Sequence, residues 1–185
     1  MENNLFLLFH LIGMVLGAGG ATINDCLFFR FLKDFKISKF EAGVLSALSK
    51  IIWTGLIVLI ITGLGLYLQN AERLNHSPKF LVKMIVVAII LLNGIALNLF
   101  IAPRLRQIFF AKSHEHQPGE LRSFRRLAFA LGAVSITSWY SALILGFLRN
   151  LSYSFSVILG VYFLAVIIGV AISQIAEKFI NRTVL

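Results

Sequence analysis

MIVVAIILLNGIALNLFIA, residues 84–102, holds nineteen residues and no ionisable side chain. A helix needs about 20 consecutive apolar residues to cross a bilayer, and this segment supplies them without a break. Four other stretches read the same way, so the expected spans are about 4–25, 51–68, 84–102, 127–147 and 156–175. Of the 185 residues, 58% are hydrophobic, against ~45–50% in a soluble domain. The expected fold is an all-α polytopic transmembrane helical bundle of five spans. One integral membrane domain, 1–185, takes up the length, and lipid is its first partner.

The chain carries 17 Lys and Arg against 8 Asp and Glu, a net charge of +9. Nucleic acid is not the reading, because the basic residues flank apolar segments instead of covering a soluble face. None precedes the first span. Five follow it (Arg30, Lys33, Lys36, Lys39, Lys50), three follow the second (Arg73, Lys79, Lys83), and six the third (Arg104, Arg106, Lys112, Arg122, Arg125, Arg126). Arg149 follows the fourth, and Lys178 and Arg182 follow the fifth. Alternate sides thus hold thirteen and four. The richer side belongs in the cytoplasm, which puts the N-terminus outside and the C-terminus cytoplasmic in a multi-pass protein of the cell membrane.

Local signals set the ends of helices. Glu2, with no basic residue before Arg30, argues for a retained first helix, since a cleavable leader opens with positive charge. That helix is expected to continue through FFRFLKDF, residues 28–35. Ser38 with Glu41 has the capping-box spacing, so a second helix should run from near Ser38 to about Leu68. Ser77-Pro78 starts the third, and Pro103 marks a stop or kink near its end. KSHEHQPG, residues 112–119, reads as a surface loop, with His114 and His116 too few to hold a metal firmly. The single cysteine, Cys26, excludes a CxxC redox pair or a thiolate cluster. HExxH, GxxxxGK[ST] and GxSxG are absent from the sequence, which excludes the metalloprotease, P-loop and nucleophile-elbow readings.

Polar side chains inside spans are functional candidates by default. On span one, His10, Gly13, Gly17, Ala21 and Asn24 recur every three or four residues and share a face. The small members let another backbone or a flat cofactor come close. Counting along the spans puts His10, Thr62, Lys83, Trp139 and Tyr140 at similar depth, as the lining of one pocket in the outer half. Asn24, Asp25, Lys50 and Arg104 gather at the opposite level, with Asn93 and Asn98 on span three above them. An ion pair among Asp25, Lys50 and Arg104 is the plain structural reading of that cluster. Gly132, Ser135, Trp139, Ala142 and Gly146 share a face of span four and read as packing.

LFHLIGMVLGAGG (8–20) and FLVKMIVVAIILLNGIALNLFIAPRL (80–105) resemble motifs of a superfamily of small bacterial membrane proteins. It includes the copper-resistance CopD domain and the protoporphyrinogen oxidase HemJ. The likeness covers about the first 106 residues and implies a bacterial inner-membrane bundle that holds haem b. It carries the axial-ligand role to His10, with iron as the metal, and matches Lys83 to the lysine heading the third helix, where it can pair with a propionate. The sequence departs from the pattern in offering Asn93 where further histidine is expected. A bis-histidine site would need His76 from a loop; five-coordinate haem on His10 is simpler.

Three functions follow as expectations: a haem- or porphyrin-handling redox protein, a small transporter or permease joining the two polar clusters, and an assembly subunit whose Gly and Ser faces bind partner helices or a second copy. Whether any of these is enzymatic is open at this stage. The orientation has a direct check. A reporter active only in the cytoplasm should work when fused to the C-terminus and be silent at the N-terminus; the reverse pattern would invert every side assigned above.

Overall fold

The computed structural model describes residues 2–31, 38–101, 103, 120–148 and 152–183. Among them every regular element is helical. The first span is α1 (Glu2–Met14), a π-helical turn Val15–Gly19, and α2 (Gly20–Phe31). Then come α3 (Lys39–Leu68), the short α4 (Ala71–Asn75), α5 (Pro78–Ala96) ending in a second π-turn Leu97–Ile101, α6 (Glu120–Phe147) and α7 (Phe155–Thr183). Five of these stretches are long and apolar enough to cross a membrane. The protein is a multi-pass all-α membrane protein.

The caps form where the sequence places them. Ser38 Oγ accepts from the Glu41 amide at 3.2 Å, and Glu41 Oε2 accepts from the Ser38 amide at 2.7 Å, so two orphan donors of α3 are satisfied. Pro78 opens α5 behind Ser77, whose hydroxyl accepts from the Phe80 amide at 3.4 Å. Arg104, the KSHEHQPG loop and residues 32–37 lie outside the described residues. The fifth helix runs past the expected limit of 175 to Thr183, because Glu177 in that extension is buried, 1% exposed, against Arg125 of α6. Arg125 Nε donates to Glu177 Oε1 at 2.7 Å, a second nitrogen of Arg125 joins the same oxygen, and Arg126 Nε stands 3.7 Å from Oε2. Buried charge is tolerated when paired and hydrogen-bonded in this way. Ser138 and Tyr162, bonded at 2.9 Å, tie α6 to α7 again further along.

Spans one and two approach each other through backbone. A Cβ on Gly55 would lie 2.5 Å from the Gly17 amide nitrogen and 2.8 Å from the Gly13 carbonyl oxygen. On the other side of Gly17 lies the Trp139 ring, 2.3 Å from where a Cβ would stand. Leu56, Val82, Val86, Ile90, Ala142 and Tyr162 join Trp139 in the packed core. Outside that core the apolar side chains face out: Ile61 is 62% exposed, Leu92 64%, Val161 63% and Ile167 64%. An apolar exterior of this extent is unfavourable in water and suits hydrocarbon.

The glycines separate into two kinds, and their substitution should show it. Gly55→Val meets fixed backbone and should lower stability by about 1–3 kcal/mol or more. Gly160, with open space around its missing Cβ, should accept Ala with a change below ~1 kcal/mol. Unfolding in a graded denaturing detergent measures both.

Candidate functional site

Two cavities lie among the described residues of spans one to four. One, of about 570 Å³, is lined by His10, Lys83, Met14, Tyr67, Phe80 and Trp139, among others. The second, of about 590 Å³, is lined by Asn24, Asp25, Lys50, Ser49, Asn98 and Trp139, among others. Both volumes fall in the ~300–1,000 Å³ range of small-molecule and cofactor sites. Leu56, Ile90 and Trp139 line both cavities, so an apolar partition one side chain thick stands between them.

His10 is held by the chain across from it. Its Nδ1 lies 3.0 Å from Thr62 Oγ1. The Thr62 hydroxyl also lies 2.6 Å from the Val58 carbonyl; with its proton given there it accepts from His10 Nδ1, and in that tautomer Nε2 is the ring nitrogen that holds the lone pair. A hydrogen bond to one ring nitrogen that fixes the tautomer and frees the other is the arrangement found behind ligating histidines. Lys83 lines the same cavity and forms no ion pair among the described residues. Gly63 lies beside the ring, with a Cβ there 3.3 Å from His10 Cε1.

The five residues expected in one pocket divide. His10 and Lys83 line the first cavity. Thr62 is buried behind His10 and orients it. Trp139 forms the partition, deeper than expected, because it packs on Gly17 at the middle of span one. Tyr140 does not join them. It is 44% exposed, and its hydroxyl donates at 3.2 Å to Thr22 Oγ1, whose own proton goes to the Ala18 carbonyl at 2.7 Å. Adjacent helix positions differ by about 100°, and with Trp139 turned onto Gly17 the Tyr140 ring is carried out toward Thr22.

The other cluster also differs from the expected ion pair. Asp25 and Lys50 line one cavity but form no salt bridge, and Asp25 Oδ2 has no hydrogen-bond partner. The buried pair lies instead on spans four and five, at Arg125 and Glu177. Asn98 Oδ1 accepts from Ser49 Oγ at 3.2 Å. Asn93 is outside both cavities; its amide donates at 3.1 Å to the Leu131 carbonyl and joins α5 to α6. Sequence reasoning missed Glu177, although a lone acid at the end of the last span, facing the Arg125-Arg126 end of span four, was the available signal. His76 is exposed outside the cavity, its Nδ1 donating to the Glu72 carbonyl at 2.9 Å.

Among the described residues no three His, Cys, Asp or Glu side chains gather to hold a metal ion. A haem iron does not need such a group, since the porphyrin supplies the other nitrogens and the protein as few as one ligand. The residues present fit that demand: a free Nε2, an ammonium, and walls of Met14, Leu59, Phe80 and Ala142. No family model, no curated protein and no solved structure matches this chain. The tautomer can be read directly. Nitrogen NMR of ligand-free protein at neutral pH should find His10 protonated on Nδ1 and bare on Nε2; the opposite assignment would remove the lock.

Proposed function

We propose that this protein binds haem b in the His10 cavity and serves haem- or porphyrin-related redox chemistry in the membrane. The observation that carries the reading is His10 lining an apolar cavity with its Nδ1 held 3.0 Å from Thr62 Oγ1, which in the Nδ1-protonated tautomer turns Nε2 into the ligating nitrogen. His10 would hold the iron through its imidazole. Lys83 would pair with a propionate, a charge-assisted contact of the kind that anchors anions firmly. Phe80, Tyr67 and Trp139 exclude water, which lowers the local dielectric around the bound group. Haem, when bound, supplies one-electron chemistry. The resemblance to the CopD and HemJ group supports the same assignment. With the basic-rich side in the cytoplasm, this cavity lies in the outer half of the membrane.

A second reading has its own support. Two cavities stacked end to end across Leu56, Ile90 and Trp139 suit a transporter whose partition opens by movement of one indole. Uptake or release of solute by proteoliposomes, abolished when Trp139 is fixed, would favour it.

The haem assignment is tested by the absorption spectrum of protein purified from haem-supplied cells. A Soret band is expected, lost in His10→Ala and unchanged in His76→Ala. Thr62→Val keeps the shape but removes the acceptor, and should weaken haem retention by ~10–100-fold. Wild-type protein that folds and shows no Soret band would end the proposal.

A further inference from the structure

The His10 cavity is closed at its ends and open at one side. At one end the connection between α3 and α5 lies over it, and Leu74 and Asn75 of that connection line the space. There the Tyr67 and Phe80 rings stack, with centroids 5.6 Å apart and planes 6° from parallel, and the Tyr67 hydroxyl donates to Asn75 Oδ1 at 3.1 Å. At the other end stands the partition of Leu56, Ile90 and Trp139. Past it the Trp53 ring lies against α5, 3.5 Å from where a Cβ on Gly94 would stand, and Ser49 Oγ donates to Asn98 Oδ1. Between these fastenings the two helices part, since α3 packs along α1 and α5 along α6. The gap runs from Leu56 to Tyr67, about 16 Å at ~1.5 Å per residue. Its edges are Ile60 and Leu64 on α3 and Met84 on α5, which line the cavity and are also exposed on the outside of the bundle. No exposed residue of α1 or α6 lines it. The side opening is therefore apolar, and in a bilayer it meets hydrocarbon.

We propose that the His10 cavity takes its ligand sideways from the bilayer, through the gap between α3 and α5, and that this ligand is an amphipathic carboxylate. A polar solute would have to shed its water to pass Ile60, Leu64 and Met84, at several kcal/mol per unpaired polar group. A molecule already dissolved in hydrocarbon passes them without that cost. The acid group follows from Lys83, which precedes Met84 and lines the interior beside the gap. It is half-buried, and its amine has no hydrogen-bond partner among the described residues. An amine with N–H to give calls for an acceptor on the ligand, and a carboxylate supplies the strongest one. Haem, with its propionates, and a fatty acid share this chemistry. The inference rests on the reading of this cavity as a ligand site with Lys83 at the acid group, but it needs neither iron nor a particular His10 tautomer.

Full-length protein prepared without added haem is reconstituted in phosphatidylcholine vesicles with spin-labelled stearic acid or its methyl ester. Electron paramagnetic resonance reads the motionally restricted fraction of each. The acid should associate about tenfold more strongly than the ester, as expected for one hydrogen bond to a charged group, and Lys83→Met should remove the preference. For the route, Leu64→Cys in a Cys26→Ser background is modified with benzyl methanethiosulfonate before the probe is added. The control is Ile61→Cys, exposed on the same helix but outside the cavity lining. Modification of Leu64→Cys should abolish the acid preference, and modification of Ile61→Cys should leave it. Equal association of acid and ester in wild type overturns the inference, as does a preference that survives Lys83→Met or the modified Leu64→Cys. Should Lys83→Met fail to fold, the Leu64→Cys result decides. Haem-supplied protein is the second arm. Acid preference without a Soret band ends the haem reading and leaves this inference standing, whereas a Soret band without acid preference ends this inference and leaves the haem reading.

Discussion

Backbone contact between Gly17 and Gly55 sets the register on which both cavities depend. Spans one and two run antiparallel through that point. His10 precedes Gly17 by seven residues and Thr62 follows Gly55 by seven, so the two meet, and their 3.0 Å bond is a consequence of the crossing. Gly20 and Ile52 stand three residues to the other side and touch as well. A slip of one position would turn Thr62 away from the imidazole and break the 3.0 Å contact with its Nδ1. In hydrocarbon there is little hydrophobic drive between helices, so close van der Waals fit and interhelical hydrogen bonds decide association. Small residues at the crossing supply the first and the His10–Thr62 pair the second.

The same crossing explains the partition between the two cavities. Gly17 lacks a side chain on the face toward α6, and the Trp139 indole fills that gap. With Leu56 and Ile90 it forms a partition at the middle of the bundle. Polar residues on either side are thereby kept apart: His10 and Lys83 at one end, Asn24, Asp25 and Lys50 at the other. Away from the cavities, the polar side chains are largely spent on structure. Arg125 and Glu177, Ser138 and Tyr162, and Asn93 with the Leu131 carbonyl all join α6 to its neighbours.

Much of the architecture was legible in the residues, because uninterrupted apolar length is a strong signal and caps are local. The Ser38–Glu41 box and the Ser77-Pro78 start came out where the sequence put them. The small-residue face of span one was legible too, as a periodicity. What could not be read were the long-range partners. Counting along helices gives depth but not rotation, so Tyr140 was grouped with Trp139 although its hydroxyl turns out to Thr22. The π-turn at Val15–Gly19 inserts extra residues into a turn, which Gly-rich sequence permits but does not require. Depth alone also suggested Asp25 and Lys50 as an ion pair; which way each side chain turns depends on packing that only the assembled bundle defines.

The register at the crossing is the claim to test most directly, by oxidative cross-linking in a Cys26→Ser background. Gly20→Cys paired with Ile52→Cys should close an intramolecular disulfide, since a Cβ at Gly20 lies 3.8 Å from the Ile52 amide nitrogen. Gly20→Cys paired with Ile61→Cys, nine residues further along the same helix and turned to lipid, should not. Closure of the second pair, or of neither, would contradict the antiparallel alignment that brings His10 to Thr62.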